Sequence, residues 1–208
     1  MRIDESSVNG FNQSPSDRIK KEKRNNYLLS YLHDFVFLIA GVLLVFSLLF
    51  RIIVVSGPSM KNTLVDGDWL LLLNNVFYSE PKKGDIVVIS KKAYDNGTPI
   101  IKRVIATEGQ TVDIDFINGI VYVDGIALEE EYVNTPTNLK EGVDFPLTVN
   151  KGCVFVLGDN RNESKDSRSP EIGLVDKREV LGKAFLLVFP GCEQGYITRD
   201  YSRIGGVS

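Results

Sequence analysis

One serine lies on a stiff turn in residues 56–64, which read SGPSMKNTL. Pro58 fixes its own φ angle and biases Gly57 toward an extended backbone, so the chain is stiff where it presents the Ser59 hydroxyl. Sharp turns of this kind expose nucleophilic serines in hydrolases. They are also typical of ordinary surface turns. Taken alone, the segment favours the ordinary turn.

The run PIIKRVIAT, residues 99–107, contains a candidate general base. Side chains alternate between the two faces of a strand, so Lys102 and Arg103 point in opposite directions and one of them faces an apolar side. Burial lowers the pKa of a lysine, and a neutral amine can act as a general base. Arginine stays charged, so Lys102 is the catalytic candidate of the pair. The competing interpretation is an edge strand with a solvated lysine, and this run alone favours it.

Residues 158–168, GDNRNESKDSR, combine three acids, three bases and two serines. Three interpretations stay open. The segment is a solvated surface loop, a cation site without a clean calcium-loop match, or a loop that pairs its own Asp and Arg side chains and stands rigid beside a site. In the third case Ser164 is available to orient an amine.

The location of these candidate residues depends on a long apolar segment that precedes Ser59 in the chain. Residues 35–50 read FVFLIAGVLLVFSLLF, and continuation through residue 55 gives the length that a helix needs to cross a bilayer. We predict an uncleaved anchor helix over residues 31–55. A buried core helix and a cleaved signal peptide are the alternatives, but the run has no polar face, is long for a signal sequence, and is not followed by an Ala-x-Ala site.

Positive charge before the anchor predicts its orientation. We interpret residues 1–30 as a polar, mostly disordered cytoplasmic tail that continues as helix from about Asn26. The chain is then a single-pass protein of the cell membrane, with its remaining residues outside. The one histidine, His33, lies at the cytoplasmic end of the anchor and cannot serve Ser59. The basic cluster consists of Arg18, Lys20, Lys21, Lys23 and Arg24.

The chain after the anchor has the pattern of a mainly β domain. Short β-branched runs alternate with turn signals at Asn96-Gly97, Asn118-Gly119 and Asp124-Gly125. We predict a β-rich domain over residues 56–190 and a frayed polar tail over residues 191–208. The net charge of −3 gives no reason to expect nucleic-acid binding. Cys153 and Cys192 fit no zinc pattern, and two free thiols are favoured over one disulfide.

Three separated segments resemble the type I signal peptidases, the membrane-bound Ser–Lys endopeptidases that remove signal peptides from exported proteins. The segments are SGPSMKNTL, IIKRVIATEGQTV and GDNRNESKDSR, and SEPKKGDIVVI also looks like this family. The resemblance runs from the membrane segment to about Ala184. It implies a mainly β fold, an extended sheet or partly open barrel, preceded by a single transmembrane helix. It also implies cleavage of preproteins after small residues at Ala-x-Ala sites, without a cofactor or metal, by a protein that we expect to be monomeric.

The resemblance also implies roles for individual residues. Ser59 matches the nucleophile, with its N–H in the oxyanion hole, and Lys102 matches the general base. Ser164 matches the serine that hydrogen-bonds the lysine amine. The expected supporting charges are Asp166 with Arg168, and Asp159 and Arg103; the expected pocket residues are Met60, Leu64 and Ile101.

Two positions depart from the family pattern. Asn62 stands where proline is usual, so we expect a local backbone change without loss of activity. Gly57 stands where some members have a serine that helps to hold the oxyanion, and Ser56 is not assumed to replace it. The competing functions are a self-cleaving repressor of related fold, a specialised processing peptidase, and a non-catalytic β module. The β module predicts that Ser59 and Lys102 lie far apart.

Overall fold

The computed structural model describes residues 15–192 and 198–207. Its first element is the helix α1 (Pro15–Leu49). Within it, Asn26–Leu49 is long and apolar enough to cross a membrane, and its described side chains are exposed. The helix has no apolar stripe that would pack on a soluble core, which agrees with the predicted anchor.

The ends of this helix differ from the prediction. It begins at Pro15, so residues 15–25 are helical and the disorder predicted for them is wrong, whereas the helix predicted from about Asn26 is present. Proline is favoured in the first turn of a helix, and the Lys- and Arg-rich run after it has good helix propensity. The rest of the predicted tail, residues 1–14, lies outside the described residues. At its other end the helix stops at Leu49. Phe50–Val54, which the sequence predicts to be part of the anchor helix, forms a strand instead.

The β-branched residues after Arg51 explain why the helix ends there. Ile52, Ile53 and Val54 favour the pleated conformation, and a partner strand is available. Phe50 pairs with Leu73 and Val54 with Trp69 in an antiparallel register. The compact β-rich unit therefore starts at Leu48 and not at residue 56.

Within the described residues, twelve strands form two antiparallel sheets. In chain order they are β1 (Phe50–Val54), β2 (Trp69–Asn74), β3 (Ile86–Ile89), β4 (Ile100–Thr107), β5 (Thr111–Asp115), β6 (Ile120–Val123), β7 (Ile126–Ala127), β8 (Leu147–Thr148), β9 (Cys153–Leu157), β10 (Val175–Asp176), β11 (Val180–Phe189) and β12 (Gly205–Gly206). The larger sheet has the order β1-β2-β11-β3-β4-β9-β10, with β12 on β11, and the smaller has the order β7-β6-β5-β8. Among the described residues no strand joins β1 to β10, so the larger sheet is open, as predicted for a mainly β fold.

The predicted hairpins are present. The connection from β3 to β4 contains a 3-10 turn at Asp95–Gly97, and the connections from β5 to β6 and from β6 to β7 contain Asn118-Gly119 and Asp124-Gly125. Asn96 and Asp124 have positive φ angles, which these turn residues tolerate. Turn chemistry alone was therefore enough to locate these reversals. Cys153 and Cys192 do not form a disulfide.

The C-terminal tail is ordered where it is described, which contradicts the predicted frayed end. A 3-10 turn at Tyr201–Arg203 leads into β12, which pairs with β11 through Leu186↔Gly206 and Leu187↔Gly205. Val207 packs on a buried cluster that includes Met60 and Leu64. These contacts are long-range, and a polar sequence gives no local signal of them.

Candidate active site

Lys102 and Ser59 are in direct contact. The Lys102 Nζ lies 2.8 Å from Ser59 Oγ and 2.9 Å from Ile101 O. Lys102 belongs to β4, which lies between β3 and β9 in the larger sheet, and only 3% of its surface is exposed. The solvated edge-strand interpretation is therefore wrong, because β4 is a central strand. The distance also contradicts the separation that a non-catalytic module predicts.

The Ser59 turn is held from both sides of the serine. Gly57 has a φ of 88°, and its N–H donates to Asp66 Oδ1 at 2.9 Å. Asn160 donates its backbone N–H to Ser59 O at 3.0 Å and its side-chain Nδ2 to Pro58 O at 3.1 Å. The Ser59 N–H donates to none of the described residues, so it is available to a ligand. The sequence pattern did not single out Asn160 for this role, although it lies in the polar loop.

The backbone conformation at Asn62 excludes the proline that is usual at this position in the family. Its φ is 85°, and proline is restricted to a φ near −65°. Asparagine tolerates this left-handed conformation better than most residues. The local backbone change expected from this departure is present. The turn keeps its Leu64 N–H to Met60 O bond at 2.8 Å.

Two buried ion pairs flank the Ser59–Lys102 contact. Arg103 donates to both oxygens of Asp159, at 2.9 and 2.8 Å, and Asp159 also accepts the Thr63 hydroxyl at 2.5 Å. Arg168 donates to both oxygens of Asp166 at 2.8 Å. All four charged side chains are almost fully buried. The pairing favours the self-paired loop over a solvated loop or a cation site.

Ser164 does not make the expected hydrogen bond. Its Oγ is buried and has no hydrogen-bond partner among the described residues. Lys102 Nζ donates to Ser59 Oγ and Ile101 O instead. Ser164 packs against Gly158 so closely that a Cβ there would overlap its hydroxyl. The role of Ser164 in orienting the amine remains a prediction.

The environment of Lys102 favours a reactive amine. Burial lowers the pKa of Lys102 from 10.5 to about 8, with a smaller lowering by Arg168; Asp166, Asp159 and Glu141 act in the opposite direction. At pH 7 roughly a tenth of the molecules then carry a neutral amine, far more than for a solvated lysine. The pKa of Glu141 itself is raised, by burial and by Asp166. Glu141 was missed from sequence because it lies in a long loop without a motif.

A small cavity opens beside the two residues. It has a volume of about 70 Å³. Met60 and Ile101 line it, as predicted, but Leu64 does not. Leu64 borders a separate cavity with Gly57 and Pro58. The end of β1 also forms part of the cavity wall. This was not predicted, because the sequence places these residues in the anchor helix. The complete lining is Ile53, Val54, Val55, Ser56, Ser59, Met60, Pro99, Ile100, Ile101 and Lys102.

Comparison with known proteins is consistent with this geometry. The sequence model of the family described as signal peptidase, peptidase S26, matches residues 28–189. "Probable signal peptidase I-1" of Synechocystis sp. is 38% identical over 169 residues, which cover 75% of this chain and 82% of that protein. Signal peptidase I of Bacillus licheniformis is 34% identical over 179 residues, which cover 82% and 94% of the two chains.

Among the solved structures that match is the crystal structure of a signal peptidase I from Enterococcus faecalis V583, with 33% identity, a TM-score of 0.41, and coverage of 50% of this chain and 96% of that chain. The family model spans most of the apolar helix, the Ser59 turn, β4 and the loop at residues 158–168. The chain therefore belongs to the signal peptidase family, peptidase S26.

Proposed function

We propose that this signal peptidase is anchored in the cell membrane and uses Ser59 as its nucleophile and Lys102 as its general base. The observation that carries the proposal is the 2.8 Å contact between Lys102 Nζ and Ser59 Oγ, made by a lysine that is almost completely buried. A buried amine is neutral more often than a solvated one, so it can take the serine proton at moderate pH.

The reaction follows from these positions. Lys102 accepts the Ser59 proton as Ser59 Oγ attacks the carbonyl carbon of the scissile bond. The negative charge on the carbonyl oxygen is stabilised by the Ser59 N–H, which has no competing partner among the described residues. The Lys102 ammonium then protonates the leaving nitrogen, and the C–N bond breaks to give an acyl-enzyme. A water molecule, deprotonated by Lys102, attacks the ester, and Ser59 recovers its proton.

The cavity supports cleavage after small residues. Its volume of about 70 Å³ is roughly twice the share of one water in the liquid, which suits an alanine side chain and is too small for an aromatic one. Its walls come from the end of β1 and the start of β4. An extended substrate lying between these segments would place alternate side chains toward the cavity, as in strand addition. This arrangement fits the Ala-x-Ala pattern.

The proposed membrane placement rests on charge and length. Asn26–Leu49 spans about 36 Å at 1.5 Å per residue, which is enough for the hydrocarbon core. The basic residues before it favour a cytoplasmic N-terminus and a catalytic unit on the outer side. Exported preproteins would reach the catalytic unit there.

The experiment uses the purified full chain in detergent with a precursor that carries an Ala-x-Ala site. Ser59→Ala and Lys102→Ala are each expected to lower the cleavage rate by at least about 1,000-fold. Ser79→Ala and Lys92→Ala are the matched controls, because both side chains are exposed outside the site, and they should cleave at the wild-type rate. Full activity in either site variant would refute the dyad. Equal cleavage of a precursor with tryptophan before the cut would refute the small-residue preference.

A further inference from the structure

Asp68 closes the base of the loop that carries Ser59. We define this nucleophile loop as residues 55–65. The backbone O of Asp68 accepts the Val55 N–H at 2.8 Å, and its carboxylate Oδ2 accepts the Val65 N–H at 2.8 Å. One residue therefore ties both ends of the nucleophile loop together.

The carboxylate of Asp68 is fully buried and receives its counter-charge from the C-terminal tail. Arg203 donates from Nη1 to Oδ1 at 3.0 Å and from Nη2 to Oδ2 at 2.7 Å, which is a bidentate pair. With the Gly191 N–H at 2.6 Å and the Val65 N–H, the carboxylate accepts four hydrogen bonds. Arg203 Nη2 also lies 3.4 Å from Thr63 O, inside the nucleophile loop. A buried carboxylate that loses such a partner is strongly unfavourable.

The tail is built to hold Arg203 in this place. Asp200 caps the turn before it by accepting the Ser202 N–H at 3.0 Å, and β12 after it pairs with β11. The chain also passes close to residues 66–68 at Gly191, where a Cβ would overlap Asp66 O and lie 2.7 Å from Asp68 N. The cap at Asp200 and the pairing of β12 therefore fix the backbone before and after Arg203, and this holds its guanidinium beside Asp68.

We propose that Arg203 is a positioning residue for catalysis, which acts through Asp68 to hold the nucleophile loop and so aligns Ser59 with Lys102. The proposal rests on Ser59 being the nucleophile. Loss of Arg203 would leave Asp68 buried without its counter-charge, and the nucleophile loop would shift to solvate it. A displacement of about 1 Å at a reacting group can cost about 100-fold in rate. Much of the substrate cavity is walled by β1 and β4, so substrate binding should change less than turnover.

The test compares turnover and KM in the full chain with a signal-peptide precursor. Arg203→Ala should lower kcat at least tenfold and change KM less than threefold. Arg199→Ala is the matched control, because Arg199 lies in the same tail but donates to Pro190 O and stacks on Phe189, away from Asp68. It should keep the wild-type kcat.

The outcomes separate this proposal from the dyad. Wild-type kcat in Arg203→Ala, or equal losses of kcat in Arg203→Ala and Arg199→Ala, would overturn the positioning role of Arg203. In that case an inactive Ser59→Ala would still support Ser59 as the nucleophile. Activity in Ser59→Ala would overturn the proposed function itself. If Arg203→Ala does not fold, Arg203→Gln takes its place with the same criterion, since glutamine loses the charge and the bidentate geometry but keeps a long side chain.

Discussion

Lys102 Nζ donates a hydrogen bond of 2.8 Å to Ser59 Oγ across 43 positions of sequence. The contact joins a central strand to a turn, and the buried pairs Arg103–Asp159 and Arg168–Asp166 lie beside it. Once the amine is neutral, the serine proton can pass to it over the same distance. In the proposed mechanism the protonation state of Lys102 controls activity, and most of the following predictions depend on it.

Cleavage should depend on pH through Lys102. Burial lowers the Lys102 pKa to about 8, and only the neutral amine can act as the base. We expect kcat/KM to rise tenfold per pH unit below about pH 8 and to level off above it. The measurement is the initial rate at low substrate concentration from pH 5 to pH 9. A flat profile across pH 7 to 9 would argue against Lys102 as the base.

Removal of the negative charge of Glu141 should shift the pH dependence of kcat/KM. Lys102 faces the carboxylates of Asp166, Asp159 and Glu141 and the guanidinium of Arg168, and Glu141 raises its pKa. Glu141→Gln is therefore expected to shift the midpoint of kcat/KM to lower pH. The control is Glu171→Gln, whose side chain is largely exposed beside Lys165. An unchanged midpoint in Glu141→Gln would show that Glu141 does not act on Lys102.

Lys102→Met should stabilise the fold at neutral pH. The Lys102 pKa is about 8 in the folded chain against 10.5 for a solvated lysine. The unfolded chain therefore binds more protons between these values, and the free energy of unfolding rises with pH across that window. Below pH 8 the full penalty is present, roughly 3 kcal/mol at 1.36 kcal/mol per pKa unit.

Methionine removes this penalty while it fills similar space, so we expect an inactive variant with a higher Tm at pH 7. The gain should vanish near pH 10.5. The readout is thermal unfolding of both proteins at the two pH values, with Lys92→Met, an exposed site, as the control. A Tm of Lys102→Met below that of the wild type at pH 7 would contradict the expected cost of burying the Lys102 ammonium.

Asp159→Asn should destabilise the catalytic unit. The substitution leaves the Arg103 guanidinium buried without its carboxylate, which costs about 3–5 kcal/mol. Asp144→Asn makes the same chemical change at a fully exposed residue, paired with Lys140 at 3.4 Å, and should cost less than about 1 kcal/mol. Denaturant unfolding at fixed pH measures both. Similar midpoints for the two variants would mean that the buried pair is not needed for stability.

Gly158→Ala should impair catalysis through the Ser59 backbone. An added Cβ would lie 2.5 Å from Ser59 O and would overlap Ser164, so the turn or the loop must move. We expect kcat to fall at least tenfold. Gly205→Ala is the control, because no atom lies within 4 Å of its Cβ position. Wild-type turnover in Gly158→Ala would show that the close approach can relax without harm.

The sequence alone identified the catalytic candidates because local chemistry marks them. The stiff turn at Ser59, the lysine within the β-branched run and the charged loop near Asp166 are each visible in short segments. Hairpin positions were also predictable, since Asn-Gly and Asp-Gly pairs favour the turn geometry that joins adjacent strands. The anchor was visible from its length and apolar character.

Tertiary structure decided which contacts these residues make. Only the pairing of β4 between β3 and β9 buries Lys102, and only the pairing of β1 with β2 turns Phe50–Val54 from a continuation of the helix into a wall of the cavity. Arg203 is an ordinary residue in a polar tail until β12 brings it to Asp68. Local propensity acts over a few residues, whereas burial and ion pairing act between segments that are distant in the chain. For that reason the sequence could name Ser59 and Lys102, but their contact and its supports had to be read from the fold.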